Sequence, residues 1–483
     1  MKTNHTATFG FGDDCSILAQ LAIAEISSRR TKLLSAGTGV RPLAETGYSA
    51  HKKSAIRIAY IVDQLKRKEE IEILNEIYQK AFFLVGLSNP ADDRLKHLKK
   101  QIGKPDTYAQ ELIDLDTSES DYFKGMNECE GCRRKSGESP LIGNKDYGQQ
   151  LSKVFSEADV FFDFKDGKTS VQRFLDLIFA SPFEFPNSAE HAMYMAFASS
   201  ARSADLSRQV GAVILSSNGD LISSGSNDVP RAGGGIYDRR HHANDGAYSI
   251  EANSKRLSEI SDNISRYLVS SNLIQPNEKD VYAAKILKET EIGNLTEFHR
   301  TVHAEMQAIL SATRSGTSTS GSTIYVTTFP CHNCAKHIIS AGIKTVVYVE
   351  PYAKSQAEHL HGDAIWLSED GSNLSNKVTI KPFLGIGPRR FIDLFSMKLS
   401  NGTSMVRKSG YNAREYKRTS ALMRFGSPVP FPFFEDMIVL ERKYVILAEI
   451  DKIQEQIRKM KIAGSSAPPD LLAKIARLER FAA

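Results

Sequence analysis

Cysteine is scarce in this chain: five residues in 483, at Cys15, Cys129, Cys132, Cys331 and Cys334. Four of them fall into two C-x-x-C pairs, which suits metal binding in a reducing compartment better than a disulfide framework. Long apolar runs are missing too, so no segment is expected to span a bilayer. The first residues, Met1-Lys2-Thr3-Asn4-His5, lack the apolar core of a signal peptide, and a cytoplasmic location is expected. Charge of one sign is also wanting: 62 basic against 57 acidic residues leave a net +5. Such a balance favours anionic ligands but falls short of a polycationic nucleic-acid binder. What remains is a globular composition, 41% hydrophobic and 25% charged. The length is too great for one ordinary core and suggests roughly 2 to 4 domains.

One stretch carries most of the chemistry. It starts Val302-His303-Ala304-Glu305 and ends Phe329-Pro330-Cys331-His332-Asn333-Cys334. That is the H-x-E and P-C-x-x-C signature of zinc-dependent nucleobase deaminases. His303, Cys331 and Cys334 supply three ligands for Zn2+ and leave a fourth position for water, the mark of a catalytic site. Glu305, two residues from a ligand, is expected in the pocket as the proton carrier without binding metal. Each ligand cluster is expected at a helix N-terminus, where the dipole helps keep thiolates ionised. Cytosine and adenine deaminases share this centre, so it does not choose the base.

Ahead of it lies an α/β pattern. Ile56–Val62, Ala81–Leu87 and Val160–Phe162 read as strands, with helical patterns over Glu69–Ile77 and Leu151–Phe155. Strand and helix in alternation argue a parallel sheet. The order resembles P-loop nucleotide kinases, yet the phosphate loop is degenerate. The candidate, Phe9-Gly10-Phe11-Gly12-Asp13-Asp14-Cys15-Ser16, has aspartates where phosphate would lie and no lysine before Ser16. Residues 1–182 are therefore expected to form a kinase-like scaffold without kinase chemistry. Cys129 and Cys132 provide two of the four ligands a structural zinc needs. A second metal there would need His51, His97, His241 or His242, and a plain polar loop is the alternative.

Pro182 and Pro186 end the preceding helix, and Asn187 or Ser188 caps a new one. From there the pattern runs helix, hairpin (Gln209–Leu215 and Leu221–Gly225), helix from His303, strand Thr323–Thr327, helix from Cys331, strand Thr345–Val349. This is a three-layer α/β/α domain, placed at 183–400 with an insertion at about 232–294. A C-terminal extension follows over 401–483, in which Ile446, Ile450, Ile453 and Ile457 form one helical stripe.

Several segments of this domain carry a family resemblance. They are Arg202-Ser203-Ala204-Asp205-Leu206-Ser207-Arg208-Gln209-Val210-Gly211-Ala212, Gly225-Ser226-Asn227-Asp228-Val229-Pro230, Leu295–Phe298, Val302–Met306 and Glu350-Pro351-Tyr352-Ala353-Lys354-Ser355. They resemble deoxycytidylate deaminases. With the kinase-like N-terminal part, the chain is similar to bacterial two-domain dCTP/dCMP deaminases of anti-phage defence. The resemblance implies a cytidine-deaminase-like fold, Zn2+, a deoxycytidine nucleotide substrate, a homo-oligomer and an unidentified regulator or inhibitor. It also implies that Asn227 contacts the sugar, that Arg202, Arg208 and Lys354 lie toward the phosphate, and that Ser203 and Tyr352 help bind the substrate. Taken on their own, Asn227 has the alternative of a turn asparagine and the cations that of solvated surface charges. Two other functions fit the sequence less well. A polynucleotide cytosine deaminase would need a basic groove with stacking aromatics, and a non-catalytic nucleotide-sensing regulator would have no use for Glu305.

Overall fold

Apolar runs with both faces buried make the central sheet. In β3 (Gly211–Leu215) Ala212 and Ile214 point to one side, Val213 and Leu215 to the other, and all four are buried. Ile324 and Val326 against Tyr325 in β5 (Thr323–Thr328), and Val346 against Val347 in β6 (Thr345–Glu350), repeat the division. Strands covered on both faces read as near-continuous apolar stretches rather than alternating ones. With β4 (Leu221–Ser226), β7 (Ile365–Leu367) and β8 (Val378–Pro382) they form a six-stranded sheet of order β4-β3-β5-β6-β8-β7. The β3–β4 and β3–β5 pairs are antiparallel; β5–β6, β6–β8 and β7–β8 are parallel.

The computed structural model describes residues 16–35, 59–89, 91–102, 112–113, 150–165, 167–237, 252–295, 297–352, 355–368, 376–399, 402, 404–417, 423–425, 435, 450–460, 466, 468, 472 and 475–476. Residues 9–15 of the degenerate phosphate loop, Cys129, Cys132, His51, His241, His242 and Lys354 lie outside these.

Helices cover both faces. Ser188–Ser200 packs Ala192, Met193 and Ala196 on one side. Ala304–Arg314 and His332–Ser340 pack Ala304, Ala308, Ala335 and Ile338 on the other. The first of these helices starts with a reciprocal cap, as expected. The Asn187 carboxamide oxygen accepts the Glu190 N–H at 2.8 Å, and the Glu190 carboxylate accepts the Asn187 N–H at 2.9 Å.

The N-terminal part adds β1 (Val85–Ser88) and β2 (Val160–Asp163), paired in parallel as the alternating pattern predicts. Its helices include Ile17–Ser35, Lys68–Tyr78, Leu151–Ser156 and Gly167–Ile178. Two expectations need correction. Residues 59–62 are not in a strand, and Ile61 is 94% exposed, so this apolar run is not sandwiched between neighbours. The second predicted strand begins only at Val85, because Gln79–Ala81 forms a 3-10 turn. The third strand of the small sheet is instead β9 (Gly385–Ile386), which returns from beyond the large sheet to pair antiparallel with Val160 and Phe161.

Leu84, Val154, Ala158 and Phe161 share one core with Met193, Val213, Tyr325, Val347 and Phe383. Buried Glu190 sits at this junction. It accepts the Arg173 guanidinium at 2.7 and 2.8 Å and the Ile386 N–H at 2.9 Å, tying three chain segments together. A second buried carboxylate, Glu435, accepts both Arg30 guanidinium nitrogens at 2.7 and 2.8 Å and the Tyr78 hydroxyl at 2.8 Å. The inserted region is helical over Ala252–Ser270 and Lys279–Glu289, packed on each other. Ile450, Ile453 and Ile457 are buried as the stripe predicts. Among the described residues no helix is long and apolar enough to cross a membrane.

Candidate active site

The strand directions bring four loops to one end of the large sheet. β4, β5 and β6 finish there and β3 starts there, so residues 201–210, 227–230, 329–331 and 351–352 are neighbours. The helices Ala304–Arg314 and His332–Ser340 both begin at this end. Gly225 is what lets the first one descend onto β4. A Cβ built on Gly225 would lie 2.2 Å from the Ala304 carbonyl oxygen and 2.5 Å from the Ala308 nitrogen.

His303 and Cys331 are the N-caps of these two helices, both in extended backbone conformation. The Cys331 sulfur accepts the Cys334 N–H at 3.5 Å. It lies 3.4 Å from Nδ1 of His303, and the Cys334 sulfur lies 3.3 Å from the same nitrogen. All three ligand atoms fall within 4.8 Å of one another. Tetrahedral bonds of about 2.3 Å to sulfur and about 2.0–2.1 Å to nitrogen would separate S and N by about 3.6 Å. One imidazole and two sulfurs at this spacing therefore fit Zn2+ and its preferred donors.

Two of the three groups, His303 and Cys334, hold protons that such an ion would replace, and Cys331 is already a thiolate. Cys331 is lowered to about 3, first by the hydrogen bond from Cys334 and then by His303. His303 is raised to about 9 by its hydrogen bond to Cys331, against burial, with Glu305 and Asp205 adding smaller effects. Cys334 is pushed up by its bond to Cys331 and by burial. Glu305 occupies the first turn of its helix at 4% exposure, and burial raises its carboxyl above the ordinary value. A buried carboxyl that favours its neutral form, beside a cation site, is suited to carrying a proton.

The expected substrate residues among those described, Arg202, Ser203, Arg208, Asn227 and Tyr352, line the same end, with varied engagements. Asn227 is buried, and its carboxamide brackets the loop. Oδ1 accepts the Val210 N–H at 2.7 Å and Nδ2 donates to the Arg208 carbonyl at 2.8 Å. Ser203 is buried and its hydroxyl accepts the Asp205 N–H at 3.2 Å, while Arg202 beside it is exposed. The Arg208 guanidinium lies 2.5 Å from the Glu350 carboxylate, whose other oxygen is 3.4 Å from the Thr328 hydroxyl. Tyr352 is half-buried with its phenol raised, by burial first and then by Cys331.

Sequence reasoning missed four supporting residues. Asp228, 2% exposed, accepts the Ala204 N–H at 3.0 Å and the Val229 N–H at 2.7 Å, and its backbone pairs with Val302. Asp205 accepts from Ser207 and Arg208 and from the Thr301 hydroxyl, and Glu350 holds Arg208. Asp205, Asp228 and Glu350 lie inside the stretches that carry the family resemblance. An aspartate two residues before a serine in a loop is a local signal for a carboxylate capping backbone N–H groups.

Comparison with known proteins gives the same answer as the geometry. Residues 186–350 match the family model described as the cytidine and deoxycytidylate deaminase zinc-binding region. The deoxycytidylate deaminase of Enterobacteria phage T2 is 32% identical over 168 residues, covering 35% of this chain and 82% of that protein. Human deoxycytidylate deaminase is 28% identical over 160 residues, 33% of this chain and 63% of that protein. ComE operon protein 2 of Bacillus subtilis is 58% identical over 53 residues, which is 11% of this chain and only 28% of that protein. The matched region holds the whole His303, Glu305, Cys331, Cys334 constellation, and by descent as well as by its zinc-fitting site this chain belongs to the deoxycytidylate deaminase family of hydrolytic enzymes.

Proposed function

We propose that the chain converts a free deoxycytidine nucleotide, dCMP or dCTP, and water into the deoxyuridine nucleotide and ammonia. The observation that carries this reading is the buried Glu305 carboxyl two residues from a His303–Cys331–Cys334 cluster that fits zinc. When bound there, zinc supplies a water acidic enough to act near neutral pH. Glu305 would take one proton from the attacking water and give it to the pyrimidine ring nitrogen, then carry the second, from the hydroxyl the water leaves on the ring carbon, to the departing amine. Its raised pKa lets it hold each proton between uptake and delivery.

Ser203, Asn227 and Tyr352 bound the nucleoside side of the pocket, and Arg202, Arg208 and Lys354 are the cations offered to phosphate. A guanidinium pairs well with phosphate oxygens, and an incoming phosphate competes with Glu350 for Arg208. The 1–182 segment acts as a kinase-like scaffold without phosphoryl transfer, since Asp13 and Asp14 replace the phosphate-cradling residues. Resemblance to the two-domain anti-phage enzymes supports a cytoplasmic homo-oligomer that drains the deoxycytidine nucleotide pool during infection, under a regulator that limits loss in the healthy cell.

Purified zinc-loaded protein offered dCMP, dCTP, deoxycytidine and single-stranded DNA tests the reading. Ammonia release from dCMP or dCTP is expected. Turnover of DNA with both free nucleotides untouched would replace it with a polynucleotide deaminase, and no turnover of any of the four by protein with one zinc per chain would favour a nucleotide-sensing role.

A further inference from the structure

One carboxylate, Asp205, reaches from the loop that carries Arg208 to the segment that carries His303. Oδ1 of Asp205 accepts the backbone N–H groups of Ser207 at 2.8 Å and Arg208 at 3.2 Å, which closes the loop on itself. Its other oxygen, Oδ2, accepts the Thr301 hydroxyl at 3.0 Å across 96 residues of sequence. Thr301 stands two residues before His303. Between them, Val302 pairs with Asp228 through both backbone groups, N to O at 3.0 and 3.3 Å.

Besides this run, the His303 ring meets the Cys331 and Cys334 sulfurs at 3.4 and 3.3 Å. His303 is the N-cap residue of its helix, with φ −67° and ψ 156°, and its side chain makes no capping bond. The direction of the imidazole is set by these two sulfurs and by the extended run 301–303 that carries it. Among the described residues, that run is held by the backbone pair of Val302 with Asp228 and by the side-chain bond of Thr301 to Asp205. Outer-shell groups of this kind fix the orientation of a ligating imidazole and commonly matter nearly as much as the ligands.

We infer that Asp205 is a positioning residue for the metal ligand His303, acting through the hydroxyl of Thr301. The inference rests on the reading of His303, Cys331 and Cys334 as the zinc ligands. It also makes Asp205, beside Asp228, a link by which the phosphate-side loop and the metal-side segment keep a common register, because its carboxylate serves both.

The test compares Thr301→Val, Thr301→Ser, Asp205→Ala and the Asp205→Ala/Thr301→Val double variant in the full chain. Zinc retention is read by competition with a chromophoric chelator in the absence of any nucleotide, and kcat and KM are read separately on dCMP. Thr301→Val keeps the side-chain shape and leaves every loop bond of Asp205 in place, so the fold does not depend on the outcome. It is expected to weaken zinc retention roughly 10- to 100-fold, with kcat falling and KM little changed. Thr301→Ser, which keeps the hydroxyl, is expected to restore retention, and the double variant is expected to be no worse than Asp205→Ala. Wild-type zinc retention in Thr301→Val, equal loss in the serine and valine variants, or additive losses in the double variant would each overturn the assignment. Because retention is read without substrate, a wild-type protein that holds zinc but deaminates no nucleotide would sink the proposed substrate and leave the role of Asp205 standing.

Discussion

The Cys334 sulfur lies 3.3 Å from Nδ1 of His303, although the two residues are on different helices and 31 positions apart. Cys331 completes the cluster from the adjoining N-cap. Each protein group therefore supplies one of three donors, and none has a substitute among the described residues. Replacing Cys334 by Ser or His303 by Ala is expected to reduce zinc content from one per chain to well below half after dialysis against a weak chelator. Metal analysis by plasma mass spectrometry checks this, and full zinc in either variant would refute the ligand assignment.

Gly225 gives a second prediction. A methyl group there would collide with the Ala304 carbonyl and the Ala308 nitrogen, both backbone atoms that have no rotamer to escape into. Gly225→Ala is expected to lower unfolding free energy by about 1–3 kcal/mol and to displace the helix start that bears His303 and Glu305. Urea unfolding and dCMP turnover are expected to fall together, whereas Gly219→Ala in the exposed hairpin turn is expected to affect stability alone.

The junction at Glu190 is a third. This carboxylate is fully buried and receives Arg173, Asn187 and Ile386; its removal leaves Arg173 with Glu184 and the Phe185 carbonyl, and leaves the buried Ile386 N–H without its acceptor. Losing a hydrogen bond to a charged group costs about 1.5–3 kcal/mol. Glu190→Ala is expected to lose most of that by urea unfolding and to detach the β9 pairing, seen as faster amide exchange at Ile386.

Much of this site was legible because its chemistry depends on residue type and spacing. His303, Glu305, Cys331 and Cys334 announce themselves by type, and the Asn187 cap and the β3–β4 hairpin by local pattern. Pairings between distant segments do not announce themselves so. β9 is two residues long, and its partner Val160 is 226 positions earlier, where nothing in Gly385-Ile386 marks it as a strand. Ile56–Val62 looked like a strand for its apolar run alone, yet Ile61 faces solvent. Asp205 and Thr301 are unremarkable polar residues until the fold sets them 3.0 Å apart. The two cysteines at 129 and 132 lie outside the described residues.

Alkaline stability carries a fourth prediction. The Tyr78 phenol is held above its ordinary value by burial first and by the Glu435 charge second. A phenol whose folded pKa is raised binds its proton more tightly in the folded state. Its contribution is full below the unfolded value of about 10 and is lost as pH rises above that. Wild-type stability is therefore expected to fall steadily above pH 10. Tyr78→Phe removes a hydrogen bond to a charged acceptor and is expected to be about 1–2 kcal/mol less stable at pH 8, with a shallower decline above pH 10 than wild type in urea titrations.

The central claim is that Glu305 moves the proton while His303, Cys331 and Cys334 hold the metal. Zinc content and the rate of ammonia release from dCMP, measured side by side in wild type and Glu305→Gln, test it most directly. One zinc per chain is expected in both proteins, with turnover in the variant at least about 100-fold lower, within the usual contribution of a general acid–base. A fully zinc-loaded Glu305→Gln enzyme that deaminates dCMP at the wild-type rate would contradict it.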